Sequence, residues 1–267
     1  MAHNGMLATA SVPDPVRSAV KGYDWTPATD GESGGAVFRL EAHGRPTMYL
    51  KCGTGRVADD ITAEMARLSW FAGRLPVPEV LHFVRSQGAA YMLTTAVPGQ
   101  SAHDCLVAQP ELRMTTVAAL AGFLRTLHAL PLADCPFHAG HELRLADARR
   151  NLDAGWVDAS DFDVTRAGWS VEQVWAEMTG LLPLPFERVV THGDYSLGNV
   201  LLEDGRVSGC IDVGRAGAAD PYQDLAIVWR DLEEFGGDAQ RELLRAYGVS
   251  MAEERKLQFH LCLDEFF

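Results

Sequence analysis

The sequence predicts an α+β chain in two lobes: an antiparallel sheet with one helix over the first ninety or so residues, then a larger and mainly helical remainder. Three observations carry that expectation. β-Rich segments separated by turn residues gather ahead of Val97-Pro98-Gly99, a single amphipathic helical stretch lies among them, and beyond the Pro-Gly break apolar residues recur at helical spacing. The break divides the chain into an expected lobe 1–96 and a lobe 97–267.

The elements follow in order. Residues 36–41 and 47–52 are β-rich and flank His43-Gly44-Arg45-Pro46, a turn composition, so they should pair as a hairpin with Lys51 near the end of its second strand. Over 59–71, Ile61, Met65, Leu68 and Phe71 recur at helical spacing, and Glu64 rides on the same helix. Residues 80–84 and 89–95 make a second strand pair around Arg85-Ser86-Gln87-Gly88. In the second lobe, 111–130 aligns Val117, Leu120, Ala121, Leu124 and Leu127 along one face of a core helix. Residues 200–202 and 207–211 bracket Glu203-Asp204-Gly205-Arg206, where Asp-Gly is a hairpin signal. Asp220-Pro221-Tyr222-Gln223 reads as a helix start, with Asp as cap, Pro in the first turn and Gln closing a capping box, the helix running through Trp229. Leu257, Leu261 and Leu263 mark a last helix.

Composition narrows the function classes. A formal charge of −13 disfavours nucleic acid, whose phosphates require basic partners, and suits a cationic small molecule, although acidity for solubility alone reads the same way. No apolar run approaches the roughly 20 residues that cross a bilayer, and residues 1–12 lack the basic and apolar regions of a secretion signal. The five cysteines are dispersed, without a CxxC pair, which points to reduced thiols in the cytoplasm and away from a zinc site. Membrane and nucleic-acid partners are therefore not expected, and either a monomer or a dimer is compatible with the chain.

Chemistry concentrates in His192-Gly193-Asp194-Tyr195-Ser196-Leu197-Gly198-Asn199, followed by Ile211-Asp212. Phosphoryl transfer from ATP needs a carboxylate to orient and deprotonate the attacking hydroxyl, and hard oxygen ligands to hold Mg2+ against the phosphates. Asp194, Asn199 and Asp212 fit those roles, and the 200–211 hairpin folds Asp212 back toward Asn199. Lys51 at a strand end and Glu64 on the helix match a lysine for the α and β phosphates and the carboxylate that steadies it, although alone such a pair reads equally as a solvated ion pair. Asp30-Gly31-Glu32-Ser33-Gly34-Gly35-Ala36 could bring backbone amides to a triphosphate, but it lacks the ending of a Walker loop and reads nearly as well as a plain turn.

These residues resemble the aminoglycoside 3'-phosphotransferases, antibiotic-resistance kinases with a protein-kinase-like fold. The similarity runs through Val190 to Asp194, Asn199, Ile211-Asp212-Val213-Gly214-Arg215, Ala219-Asp220, Asp224-Leu225-Ala226, Glu64 with Ala66-Arg67-Leu68-Ser69-Trp70, Asp134-Cys135-Pro136-Phe137 and Leu263-Asp264-Glu265-Phe266-Phe267. The last two segments are the more specific, since many small-molecule kinases share the triad. Gly198 stands where some members have Pro, and Pro221 where relatives often carry a basic residue.

The resemblance implies catalysis by Asp194 with Arg215 neutralising phosphate charge, Mg2+ on Asn199 and Asp212, and ATP held by Lys51, Glu64 and the backbone near Ser33. It implies Tyr49 stacked on adenine and Thr95, Ala96 and Val97 along the adenine edge, although Tyr49 reads equally as a strand core residue. Asp158, Asp161, Asp163, Glu233, Glu234, Glu265 and Phe267 with its α-carboxylate are the implied contacts for a polycationic aminoglycoside such as kanamycin or neomycin. For any one of these carboxylates a solvated face is an equal reading. The expected reaction is phosphorylation of an aminoglycoside hydroxyl, the 3' position foremost, giving resistance. Two alternatives stand beside it: a kinase for another amine-bearing alcohol, and a catalytically silent ligand-binding module.

Overall fold

The structure, a computed structural model, describes residues 12–28 and 35–267. The chain divides into two units. One comprises the described residues up to Pro98 together with Gly209–Gly214; the other comprises Gly99–Ser208 and Arg215–Phe267.

The first unit is built on a five-stranded antiparallel sheet. Its strands are β1 (Asp24–Pro27), β2 (Ala36–Glu41), β3 (Met48–Thr54), β4 (Val80–Ser86) and β5 (Ala89–Thr95), in the order β1-β2-β3-β5-β4. β3 lies centrally, pairing Lys51 with Val37 on one side and Met92 on the other. Its side chains alternate as a half-buried strand requires. Met48, Leu50 and Cys52 are buried, while Tyr49 and Lys51 share the opposite, half-buried face. Leu40, Met48, Leu50 and Leu93 pack with Val16 and Val20, which flank or lie on the short helix α1 (Asp14–Ala19). The helix α2 (Arg56–Phe71) buries Ala58, Ile61, Leu68 and Phe71, and Glu64 with them.

Gly209–Gly214 completes this unit from far along the chain. Cys210 donates its N–H to the Pro76 carbonyl at 3.1 Å. Gly209 has no room for a side chain, because a Cβ there would stand 2.6 Å from the Pro76 carbonyl oxygen and 2.9 Å from Val97.

The second unit holds β6 (Gln100–Ser101), α3 (Ala102–Ala108), α4 (Arg113–His128), α5 (His141–Asp153), α6 (Val171–Gly180), β7 (Val189–Thr191), β8 (Val200–Glu203), β9 (Arg206–Cys210), β10 (Gly217–Ala219), α7 (Tyr222–Asp231), α8 (Gly237–Tyr247) and α9 (Glu254–Asp264), β9 ending in the first unit. β6, β8 and β9 form one small sheet and β10 with β7 another. A core of Val117, Leu120 and Leu124 on α4 meets Tyr195, Leu225, Leu243 and Leu261. A second cluster joins Ala148 of α5 and Val174 and Met178 of α6 to Phe259 and Phe266.

The entry to α7 departs from its expected cap. Asp220 does accept the Tyr222 N–H at 2.9 Å, but it also accepts the Glu187 N–H at 2.8 Å. Gln223 closes no capping box: its amide is buried with neither its nitrogen nor its oxygen hydrogen-bonded. The core helix expected from 111 begins at Arg113, after a 3-10 turn over Pro110–Leu112.

Candidate active site

In the first unit, the sheet and α2 bring one cation to two carboxylates. Lys51 Nζ lies 2.9 Å from each oxygen of Glu64 and also bonds Asp212 Oδ1. Burial alone would depress the Lys51 ammonium, but Glu64 and Asp212 outweigh it and hold it above its ordinary range. Asp212 is left-handed at φ 58°, an uncommon state for a residue with a side chain and one that recurs at functional sites. Tyr49 lies on the Lys51 face of β3. Thr95 Oγ1 accepts the Glu79 N–H at 2.9 Å, and the Ala96 N–H goes to the Thr47 carbonyl at 3.2 Å. Val97 lies beside Gly209, and Ser33 falls outside the described residues.

In the second unit, a loop carrying Asp194 is clamped from two helices. Asp224 of α7 accepts the N–H groups of His192 and Gly193, each at 2.7 Å, and contacts His128 Nε2 of α4 at 3.0 Å. Asp231, seven residues further along α7, accepts the Leu197 N–H at 2.9 Å. Tyr195 donates to the Leu120 carbonyl. Gly193 takes φ 85°, and a Cβ on it would run into the Arg215 carbonyl, so the turn before Asp194 admits only glycine without strain.

Asn199 donates through Nδ2 to the Asp194 carbonyl at 3.0 Å, which leaves its amide oxygen to accept. Among the described residues no cluster of three or more His, Cys, Asp or Glu side chains suits a metal ion. Asn199 and Asp212 nevertheless each carry an oxygen of the hard type that Mg2+ takes, an ion that needs few protein ligands and fills its shell with phosphate and water.

Around Asp194 the structure gathers basic and aromatic groups. Arg215 Nη1 stands 3.8 Å from Asp194 Oδ2 and 3.9 Å from Asp264 Oδ1, and its Nη2 donates to the Phe267 carbonyl at 3.4 Å. Asp264 also pairs with Arg230 at 2.8 Å. Burial would raise the Asp264 carboxyl, but Arg230, Arg215 and Arg144 hold it below the usual range. The buried Arg144 guanidinium lies 3.9 Å from the centre of the Phe267 ring, and burial lowers it to about 10.

The expected acidic contacts fall in separate places. Asp158, Asp161 and Asp163 sit between α5 and α6 in two 3-10 turns, with Asp158 capping Ser160 and Asp163 capping Thr165 and Arg166. Asp163 meets Glu265, whose two oxygens each accept its N–H at 3.3 Å. Burial and Asp163 push the Glu265 carboxyl up to about 7. Glu233 and Glu234 are exposed in a turn after α7, where Glu234 pairs with His103 at 2.8 Å.

Sequence reasoning assigned no task to Asp231, Arg144, Arg166 or Arg230, and quoted Asp224 and Asp264 only within a resemblance. A signal for two of them was present: Asp224 and Asp231 lie seven apart, on one face of a helix otherwise rich in apolar residues.

Fold and site define a phosphotransferase, and the profile of the phosphotransferase enzyme family matches residues 24–260. The chain is 49% identical over 249 residues to an aminoglycoside 3'-phosphotransferase of Escherichia coli, covering 92% of this chain and 91% of that one. The crystal structure of an aminoglycoside-3'-phosphotransferase of type VIII is similar at a TM-score of 0.85 and 36% identity, over 95% of this chain and 97% of the other. An aminoglycoside phosphotransferase from Streptomyces rimosus, solved in complex with ADP and streptomycin, is similar at a TM-score of 0.76 and 29% identity, over 94% and 95%. The chain belongs to the aminoglycoside 3'-phosphotransferase family. The α+β, protein-kinase-like architecture expected from the sequence agrees with these relatives.

Proposed function

We propose that this protein transfers the γ-phosphoryl group of ATP to the 3'-hydroxyl of an aminoglycoside and so confers resistance to it. The observation that carries the reading is the seating of the chain's last residues beside the catalytic loop, where Arg215 lies against both Asp194 and Phe267. A cationic substrate held by acidic groups near that terminus would meet the carboxylate that activates its hydroxyl.

In this reading Asp194 orients the hydroxyl and accepts its proton late in transfer, and Arg215 balances the charge that gathers on the phosphoryl oxygens. Lys51, steadied by Glu64, binds the α and β phosphates; Tyr49, Thr95, Ala96 and Val97 border the adenine; and the backbone near Ser33 approaches the triphosphate. Asn199 and Asp212 would hold Mg2+, which when bound neutralises phosphate charge. Asp212 would do so from beside Lys51, which bonds its Oδ1 here. Asp158, Asp161, Asp163, Glu233, Glu234, Glu265 and Phe267 receive the substrate's ammonium groups.

A coupled assay of ADP release with and without kanamycin, followed by mass and NMR analysis of the product, tests this. Kanamycin-stimulated turnover with phosphate on the 3'-hydroxyl is expected. Binding without turnover, or phosphate on another hydroxyl, would overturn the assignment.

A further inference from the structure

Arg166 is 2% exposed, yet its hydrogen-bonding and charged partners are acidic, polar or a thiol. Its Nη1 pairs with Asp163 at 2.5 Å and lies 3.4 Å from Glu265 Oε1. Its Nη2 reaches Gln258 and Cys262 on α9, each at 3.2 Å. The Asp163 backbone N–H also points at Glu265, so carboxylates from distant parts of the chain meet at one nitrogen, Nη1, of a buried cation. Like charges this close suppress one another's ionisation when sheltered from water. A planar guanidinium with fixed donors stabilises both and sets their spacing, which a mobile ammonium does less well.

We infer that Arg166 is a positioning residue for the amine-bearing substrate, joining the Asp158–Asp163 segment to α9 and presenting Asp163 and Glu265 as one dianionic unit of fixed spacing. The inference rests on the aminoglycoside reading given above. The groups that face Glu265 are Asp163 and Arg166 from the segment before α6, Cys262 on α9 itself and Arg230 from α7. Arg166 favours the ionised carboxylate, while burial and Asp163 oppose it. Glu265 must be ionised to take an ammonium group, so the KM for the aminoglycoside falls as pH rises through about 7. Removing the guanidinium moves that fall to higher pH.

The test compares wild type with Arg166→Met and Arg166→Lys, using kanamycin and ATP as the varied substrates between about pH 6 and 9. A rise of about tenfold in the kanamycin KM is expected for Arg166→Met and a smaller one for Arg166→Lys, with the pH dependence displaced upward and the ATP KM within about twofold of wild type. An unchanged kanamycin KM and pH profile beside a lowered Tm would overturn the inference and leave Arg166 a packing residue. If Arg166→Met does not fold, Arg166→Lys decides by the same two readouts. Absence of kanamycin-dependent transfer in the wild type is a different result, which overturns the aminoglycoside reading and this inference with it.

Discussion

Asp194 keeps about a third of its side chain in solvent and has Arg215 as its charged neighbour, so its carboxylate can be changed without disturbing a buried network. Asp194→Asn should lower kcat by about 10²–10⁴-fold while nucleotide affinity, measured by titration with ADP and Mg2+, stays nearly constant. A near wild-type rate would remove Asp194 from the role of base. Asp212→Ala should behave differently. Among the described residues Lys51 would keep Glu64 as its charged partner, and nucleotide affinity and the Mg2+ requirement should change along with the rate. Spacing alone singled these two residues out as candidates, because a His-Gly-Asp run followed by Asn and then Asp across a hairpin suits phosphoryl-transfer chemistry. Arg166 was not legible. An arginine three residues after an aspartate reads as a surface ion pair, and only its burial against α9 shows otherwise.

At the scale of single elements, α7 does more than pack. Its Asp224 satisfies two consecutive backbone N–H groups ahead of Asp194, and leaving both without an acceptor in a buried site is costly. Asp224→Ala should lower unfolding free energy by about 3 kcal/mol or more and reduce kcat, whereas Asp231→Ala, which frees one N–H, should cost less. Chemical denaturation of the two variants side by side checks the order. On α4, Leu120→Ala should cost about 2–5 kcal/mol through an unfilled cavity and leave both KM values alone. The strands β2 to β5, β8 and β9 and the helices α2, α4, α7 and α9 followed from periodicity and turn residues, whereas α1, α3, α5, α6 and α8 were not anticipated. Starts were harder: α2 opens at Arg56 behind Gly55 with no side-chain cap, so nothing in the local residues announces its first turn. Gln223 misled for the converse reason, because the capping-box spacing was present while Asp220 was already engaged by Glu187.

Across the whole molecule, buried ionisable groups set how stability varies with pH. His260 is fully buried, and burial, with Arg144 and His141 nearby, lowers its pKa from 6.5 to about 3. A depressed base contributes stability that is complete above about pH 6.5 and is lost as pH falls toward 3, because the unfolded chain takes up the proton first. Between pH 6.5 and 4 the loss from this one ring should reach about 3 kcal/mol, and His260→Leu should flatten that part of the profile in urea titrations. Equal slopes for the variant and the wild type would show that the ring protonates without unfolding. Charge and length alone gave no hint of this, since His260 sits among apolar neighbours on a helix whose pattern reads as core.

The late segment Gly209–Gly214 has a consequence for how a cell acquires a working copy. A ribosome that has just added Pro98 must add more than a hundred further residues before Gly209 appears, a wait of roughly 5–20 s at ordinary elongation rates. Throughout that interval Lys51 can find Glu64 but not Asp212, and the carbonyl of Pro76 waits for the N–H of Cys210. The nascent sheet is therefore unfinished, and in a fragment truncated at Pro98 the Pro76 carbonyl has no Cys210 N–H to accept.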